Sequence, residues 1–224
     1  HRLVGRRQDL TSTLSLLGRA DVRLVTITGP GGAGKSRLAL EVAALSAIER
    51  PVHLVGLAPV SDPELVPATI AHVLGMRDAD GRPIIESVAE TLAGTGALVF
   101  LDNFEHLTAA AGHISALLNR APDVDVLITS RAPLRLSGEH VVPLRPLSIY
   151  DASTLFSGLA AARGVILHDD ALPAAAMLLR QLVKQLKPLG LSLLAEKVET
   201  LQRAEFCASL GFECFQGYYF ARPQ

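Results

Sequence analysis

A glycine-rich turn between a predicted strand and a predicted helix constrains this chain more than any other feature. Residues 29–36 read Gly-Pro-Gly-Gly-Ala-Gly-Lys-Ser and match the pattern G-x-x-x-x-G-K-[ST] at every constrained position. The β-branched run at 23–28 predicts a strand before the turn, and the Leu/Ala/Val face of 35–48 predicts a helix after it. Glycines let backbone N–H groups converge on a phosphate, and the helix dipole adds positive potential. The sequence therefore predicts a phosphate-binding loop; an incidental glycine-rich turn is the alternative.

Strand-length apolar runs alternate with segments of helical period along the first 145 residues. Further strands are predicted at 52–57, 97–101, 125–129 and 139–143, and further helices at 64–74, 84–92 and 109–118. Strands that are apolar throughout are typical of parallel sheets covered by helices on both faces. The predicted fold class is α/β: a doubly wound parallel sheet in a three-layer sandwich, like that of P-loop nucleotide-binding proteins.

Composition excludes several other classes of protein. Hydrophobic residues make up 49% of the chain and charged residues 19%, which provides a core and excludes disorder as the main state. Aromatic residues reach only 4%, without Trp, so a base-stacking groove is not expected. The net charge of −1 argues against strong attraction to DNA or anionic membranes. We expect no direct nucleic-acid partner and no membrane partner.

The chain carries no sequence signal for export or for a membrane. Its apolar runs are too short to cross a bilayer, and the first residues lack the apolar core of a signal peptide. Two cysteines give no disulfide framework. We expect a cytoplasmic protein, and the start at His1 suggests an excerpt of a longer chain.

A carboxylate able to hold Mg²⁺ follows the third predicted strand. Asp102 stands where a Walker B acid is expected, and the Ser36 hydroxyl can supply a second metal ligand. Lys35 can reach the β- and γ-phosphate oxygens. Asn103 comes next, where vigorous ATPases carry Glu, and Glu105 is out of register, so hydrolysis is expected to be slow or absent. The alternative for Asp102 is a turn or helix cap.

Two polar residues follow the fourth predicted strand. Thr129 and Arg131 fall at the carboxyl end of a parallel strand, the side of such sheets on which ligands bind. Arg131 can pair with a γ-phosphate, and Thr129 can hydrogen-bond that group or the attacking water. A solvated loop arginine is the alternative for Arg131, because Arg135 follows on the same loop.

Four motifs occur in order along residues 2–155. They are Leu3-Val4-Gly5-Arg6, the glycine loop, Leu101-Asp102-Asn103-Phe104-Glu105-His106-Leu107, and Ile128-Thr129-Ser130-Arg131. Together they resemble the nucleotide-binding domain of bacterial STAND regulators, the NB-ARC-like ATPases of LuxR-type and antibiotic-pathway transcription activators. The resemblance implies binding of ATP or ADP with Mg²⁺, and an exchange of the two that switches the protein between closed and assembled states. It also places Gly5 and Arg6 near the adenine and ribose, although Arg7 stands where the family often has Glu.

The predicted site combines the glycine loop, the strand ends and this resemblance. The catalytic set is Lys35, Asp102 and Arg131, and the metal ligands are Ser36 and Asp102. The cofactor-binding set is Gly5, Arg6, Gly29, Gly31, Gly32, Ala33, Gly34, Lys35, Ser36, Arg37 and Thr129. The small helical domain and winged helix that follow in the family are not recognisable, so a closed ADP-locked state is not expected within this chain.

The last third of the chain has a different character. Residues 190–200 (GLSLLAEKVET) and 210–223 (LGFECFQGYYFARP) resemble the seventh and eighth strand regions of EAL-type cyclic-di-GMP phosphodiesterase barrels, a likeness that covers 163–224. It implies that Glu196 and Gln216 lie at the carboxyl ends of barrel strands. The Glu-Ala-Leu signature, the paired-Asp loop and the catalytic Lys of that family are absent from the sequence. We therefore expect no phosphodiesterase activity; strand or helix capping by Glu196 is the alternative.

The predicted domains are a nucleotide-binding domain at 1–155 and an EAL-barrel-like β/α fragment at 156–224. The second contains predicted strands at 191–195 and 212–220 and predicted helices at 151–163, 171–186 and 200–210. We expect a chimera whose C-terminal strands extend the main sheet; flanking β/α units, and a natural fusion, are the alternatives.

The hypothesis for function is an ATP- or ADP-binding domain of a transcription-regulator switch, a weak Mg-dependent ATPase at most. It would self-associate or act with regulatory domains that lie elsewhere. The alternatives are an engineered or recombined scaffold without a working nucleotide site, and an inactive cyclic-di-GMP-binding EAL remnant.

Overall fold

A five-stranded parallel sheet organises the first of two compact units, His1–Ala152; the second unit is Ser153–Gln224. This computed structural model describes residues 3–76, 81–148, 151–152, 154–155, 194–196 and 214–216. The strands of the sheet are β1 (Leu24–Thr28), β2 (Val52–Gly56), β3 (Leu98–Asp102), β4 (Asp125–Ser130) and β5 (Glu139–Pro143). They lie in the order β2-β3-β4-β1-β5, and each neighbouring pair is parallel.

Helices cover both faces of this sheet. They are α1 (Arg7–Leu17), α2 (Lys35–Ser46), α3 (Val66–Val73), α4 (Ile84–Leu92) and α5 (Ala111–Arg120). Short 3₁₀ turns lie at Pro63–Leu65, Phe104–His106 and Thr108–Ala110. The doubly wound α/β class predicted from the alternating apolar runs is confirmed.

The alternation of side chains along each strand builds two separate cores. Val126 and Ile128 of β4 pack into a core with α3, α4 and α5, whereas Leu127 between them packs into a second core with α1 and α2. Val99 and Phe100 of β3 divide in the same way. Because every residue of β1 is buried, both of its faces are covered, which explains why Leu24, Val25 and Ile27 do not alternate with exposed residues.

One helix was not predicted, and one local prediction needs correction. Residues 7–17 form α1, whose buried residues are Thr13 and Leu17 and whose Leu10 and Leu14 are partly buried against the second core. The helix predicted at 64–74 begins as a 3₁₀ turn, where the Asp62 carboxylate accepts a hydrogen bond from the Glu64 N–H at 3.0 Å, before α3 starts at Val66.

The described residues of the second unit include two short strands, β6 (Leu194–Glu196) and β7 (Cys214–Gln216). They pair with each other in parallel as a two-stranded sheet, so the expectation that they extend the five-stranded sheet is wrong. The helices predicted at 171–186 and 200–210, and most of the one predicted at 151–163, lie outside the described residues. Within the part of the chain that is described, no helix is both long and apolar enough to cross a membrane.

Candidate nucleotide-binding site

The predicted site residues converge because the strands are parallel. In the register of the sheet Thr28 lies opposite Ser130, and Leu101 lies opposite Ile128, so β1, β3 and β4 end at one edge. β4 lies between the other two strands. The glycine loop after β1, Asp102 at the end of β3 and Thr129 near the end of β4 therefore share the carboxyl edge, as predicted.

The glycine loop has a backbone that requires glycine at several positions. Gly32 and Gly34 have φ angles of +75° and +91°, which L side chains rarely adopt. A Cβ added to Gly29 would lie 2.4 Å from the Leu144 carbonyl oxygen, so the chain after β5 packs directly against the start of the loop. Apart from their chain neighbours, Cβ atoms added to Gly31, Gly32 or Gly34 would meet no heavy atom of the described residues within 4 Å. Within the described part of the chain, the space beside the loop is therefore open at these three positions.

Lys35 is the first residue of α2 and folds back over the loop. Its side chain is largely buried, at 8% exposure, and Nζ donates hydrogen bonds to the carbonyl oxygens of Gly29 at 3.0 Å and Pro30 at 3.2 Å. Ser36 follows on the same turn and is half-buried. Arg37 is exposed and pairs with Glu41 one helical turn away, at 3.1 Å.

Gly5 and Arg6 lie against the other end of the loop. Arg6 is 7% exposed, and its Nη2 donates to the carbonyl oxygens of Ala33 at 2.9 Å and Arg145 at 2.6 Å. Gly5 has a φ of +66°, and a Cβ there would lie 2.4 Å from Cγ of Asp151. The structure thus brings Arg6 to the loop, where its described contacts are with backbone carbonyls, whereas the described neighbour of Gly5 is Asp151.

A hydroxyl joins the end of β4 to the end of β3. Thr129 Oγ1 donates to Asp102 Oδ1 at 2.6 Å and accepts a hydrogen bond from the Asn103 N–H at 2.8 Å. Asn103 itself adopts a left-handed conformation, with φ +69°. This network fixes the orientation of the Asp102 carboxylate, which is a geometric requirement for a metal ligand.

Arg131 lies at the rim of the site. Its Nε donates to Glu105 Oε1 at 2.9 Å, and the arginine side chain is 69% exposed whereas that of Glu105 is only 16% exposed. Glu105 is out of register for catalysis in the sequence, and no sequence signal indicates that it pairs with Arg131. The exposed guanidinium can move, because a surface ion pair of this kind contributes little to stability.

The oxygen atoms of Asp102 and Ser36 could serve as ligands for Mg²⁺ bound together with a phosphate, but they are too few to form a metal site made of protein ligands alone. Among the described residues no three His, Cys, Asp or Glu side chains form a group that could hold a metal ion. Mg²⁺ commonly takes one or two protein oxygens and completes its shell with phosphate and water. The Asp102 carboxylate and Ser36 hydroxyl provide such a pair. The nearby His106 is not part of this pair, and its Nε2 contacts the Val60 carbonyl oxygen at 2.6 Å.

Comparison with known proteins gives relatives of both units. The family model described as "EAL domain" matches residues 156–223. The chain is 38% identical over 133 residues to "Putative HTH-type transcriptional regulator Rv0890c" of Mycobacterium tuberculosis, across 59% of this chain and 15% of that protein. It is 35% identical over 214 residues to "Uncharacterized protein Rv0894" of the same organism, across 92% of this chain and 53% of that one. The chain thus spans at most about half the length of these relatives.

A third relative is an ATP-binding protein. "Cytochrome c biogenesis ATP-binding export protein CcmA" of Nitrobacter winogradskyi is 34% identical over 158 residues, across 64% of this chain and 75% of that protein.

Solved structures share the fold at low sequence identity. Cdc6p from Pyrobaculum aerophilum superposes with a TM-score of 0.57 at 16% identity, across 72% of this chain and 50% of that one. AMPPCP-bound DnaA from Aquifex aeolicus gives a TM-score of 0.52 at 13% identity, across 92% of this chain and 67% of that one. At such identities the likeness establishes the architecture of the five-stranded unit and not its activity.

Proposed function

We propose that this chain, which has a fold like that of the P-loop ATPases, binds ATP or ADP with Mg²⁺ through residues 29–36 and Asp102. The Lys35 ammonium is the observation that carries the proposal. It is largely buried beside a loop that the described residues leave open at Gly31, Gly32 and Gly34, and the contacts that the structure describes for it are carbonyl oxygens. A buried cation is stabilised far better by an opposite charge, which a phosphate in the loop would supply.

Each predicted residue has a place in this proposal. The backbone N–H groups of the loop and the amino end of α2 would bind the β-phosphate, with Lys35 exchanging its carbonyl contacts for phosphate oxygens. Mg²⁺, held by Ser36 and Asp102, would neutralise charge between the phosphates. Thr129 would orient Asp102, and Arg131 would reach a γ-phosphate on leaving Glu105. Gly5 and Arg6 would lie at the nucleoside end of the loop, whereas Arg37 has its described contact on the exposed side of α2.

Slow turnover forms part of the proposal. Asn103, which follows the metal-binding carboxylate, cannot act as a general base, and Glu105 lies two residues further along, out of register for that role. Bound ATP should therefore be recovered mainly as ATP, as suits a switch that responds to which nucleotide is present.

We also propose that this domain serves a larger regulatory protein related to the STAND regulators. The relative named as a transcriptional regulator supports that role for the first unit. Similarity to the second mycobacterial protein over 214 residues must include parts of both units, because the first unit ends at Ala152. A natural fusion is therefore favoured over an engineered scaffold.

Cyclic-di-GMP binding is a second, lesser candidate for the second unit. The EAL match and the parallel register that places Glu196 opposite Gln216 support it. Titration with cyclic-di-GMP tests it: binding that is lost in Glu196→Ala would support this candidate, and no binding would reject it.

Calorimetric titration of the whole chain with ATP, with and without Mg²⁺, tests the nucleotide proposal. We expect Mg-ATP binding at one site per chain and its loss in Lys35→Ala. Arg19→Ala is the matched control, because it removes an exposed positive charge just before the amino end of β1, at the opposite edge of the sheet. A scaffold without a working site would show no binding, and equal binding by Lys35→Ala and the wild type would contradict the site.

A further inference from the structure

Arg6 makes a set of contacts that the nucleotide-binding role does not explain. Both hydrogens of Nη2 are used, one on the Ala33 carbonyl and one on the Arg145 carbonyl, while Nη1 donates to Asp9 at 3.2 Å. These contacts join positions 27 and 139 residues apart, and the side chain is buried. A guanidinium bound in this way holds backbone segments together.

The peptide that Arg6 holds is the one that precedes Gly34. In a trans peptide the C=O and N–H groups point in opposite directions, so fixing the Ala33 carbonyl also fixes the Gly34 N–H. On the other side, the Gly34 carbonyl accepts the hydrogen bond of the Leu38 N–H at 2.9 Å, in the first turn of α2. Both peptides that flank Gly34 are therefore held by one described hydrogen bond each.

This glycine needs such restraint. Gly34 has φ +91° and no Cβ, and a Cβ added there would meet no heavy atom of the described residues within 4 Å apart from its chain neighbours, so no side chain at this position restrains the Ala33–Gly34 peptide. The Ala33 side chain is buried in the core with α1 and α2, but it does not determine the direction of its own carbonyl.

We propose that Arg6 is a positioning residue of the phosphate loop, which fixes the Gly34 N–H in the direction that donates to a bound phosphate. This inference rests on the proposed nucleotide binding and changes the role of Arg6 from contact with adenine or ribose to control of the loop. Its hydrogen bond to Arg145 makes the loop geometry depend on the segment after β5, which also packs against Gly29 through Leu144.

Binding of ATP and of inorganic pyrophosphate separates the two roles, because pyrophosphate has no base or sugar. We expect Arg6→Gln to weaken both ligands by the same factor, about tenfold, the size of one hydrogen bond to a charged group. Arg145→Gln is the matched control, since it removes an equal charge nearby and keeps the carbonyl that Arg6 binds. Weaker ATP binding with unchanged pyrophosphate binding would overturn the inference in favour of contact with the nucleoside.

The amide resonance of Gly34 in ¹⁵N-labelled whole chain gives a second readout, which serves if Arg6→Gln does not fold. In Arg6→Lys we expect the Gly34 resonance to shift and its response to pyrophosphate to be reduced, whereas Gly56 at the end of β2 should be unaffected. An unchanged Gly34 resonance, or wild-type affinity for both ligands in Arg6→Gln, would overturn the positioning role alone. A wild-type chain that binds neither ligand would contradict the proposed function and this inference together.

Discussion

Two buried threonines of the main sheet show how much depends on whether a hydroxyl has a partner. Thr129, 1% exposed, donates to Asp102 and accepts from the Asn103 N–H. Thr26 on β1 is fully buried, and among the described residues its Oγ1 has no hydrogen-bond partner. The same chemical change should therefore have different consequences at the two positions.

Substitution of each threonine by valine tests this difference, because valine keeps the shape and removes the hydroxyl. Thr129→Val leaves the Asn103 N–H and an Asp102 oxygen unsatisfied, so we expect the free energy of unfolding to fall by about 1–3 kcal/mol. Mg-ATP should also bind more weakly, since the Asp102 carboxylate is no longer oriented. Thr26→Val should leave stability unchanged or raise it. Urea denaturation measures both, and equal losses at the two positions would contradict the assignment.

At the scale of the element, the glycine loop is packed tightly at its start and open in its middle. Gly29→Ala would place Cβ against a backbone oxygen of Leu144, whose N–H donates to the Thr28 carbonyl at 2.7 Å. That oxygen cannot move without disturbing the β1–β5 edge. A Cβ added to Gly31 would meet no heavy atom of the described residues within 4 Å, apart from its chain neighbours.

We therefore expect Gly29→Ala to lower the free energy of unfolding by about 1–3 kcal/mol, through strain and overlap. Gly31→Ala should stay within about 0.5 kcal/mol of the wild type. Thermal unfolding without nucleotide makes the comparison; a loss at Gly31 that matches the loss at Gly29 would mean that the loop is more closely packed than described.

Elements with a strong local signal were predictable and those stabilised by distant contacts were not. β1, β3 and β4 are buried on both faces, so their runs of apolar residues identify them. α1 has Thr13 and Leu17 as its buried residues, and its leucines at 10, 14 and 17 are set among polar residues, so its helical period is a weaker signal than the apolar runs of the strands. In the five-stranded sheet the bounds of the strands differ from prediction by at most one residue, as hydrogen bonding decides where a strand ends.

The candidate site also has a part that the sequence predicts and a part that it does not. Lys35, Asp102 and Thr129 could be predicted because a motif or a strand end identifies them, and the parallel sheet then brings them to one edge. The contact of Arg6 with Ala33 and Arg145 could not be predicted, because it joins distant residues that become neighbours only through the order of the strands in the sheet. The contact of Leu144 with Gly29 and the ion pair of Glu105 with Arg131 were missed for the same reason.

At the scale of the whole molecule, the main question is whether nucleotide binding belongs to the first unit. Every described contact of the loop lies within His1–Ala152, and the phosphate-binding motif is complete there. We expect a chain that ends at Ala152 to unfold cooperatively and to bind Mg-ATP with the affinity of the full chain. Calorimetric titration measures the affinity for Mg-ATP, and circular dichroism follows the unfolding. A shortened chain that folds but does not bind would show that the second unit contributes to the site.

A crystal structure of the full chain with Mg-ADP would show directly whether the glycine loop binds a nucleotide. We expect a diphosphate enclosed by the backbone N–H groups of the loop, with Lys35 Nζ moved from the Gly29 and Pro30 carbonyls to a phosphate oxygen. The metal should lie beside Ser36 and Asp102. A loop without nucleotide density at saturating ligand, or a diphosphate bound elsewhere while Lys35 keeps both carbonyl contacts, would contradict it.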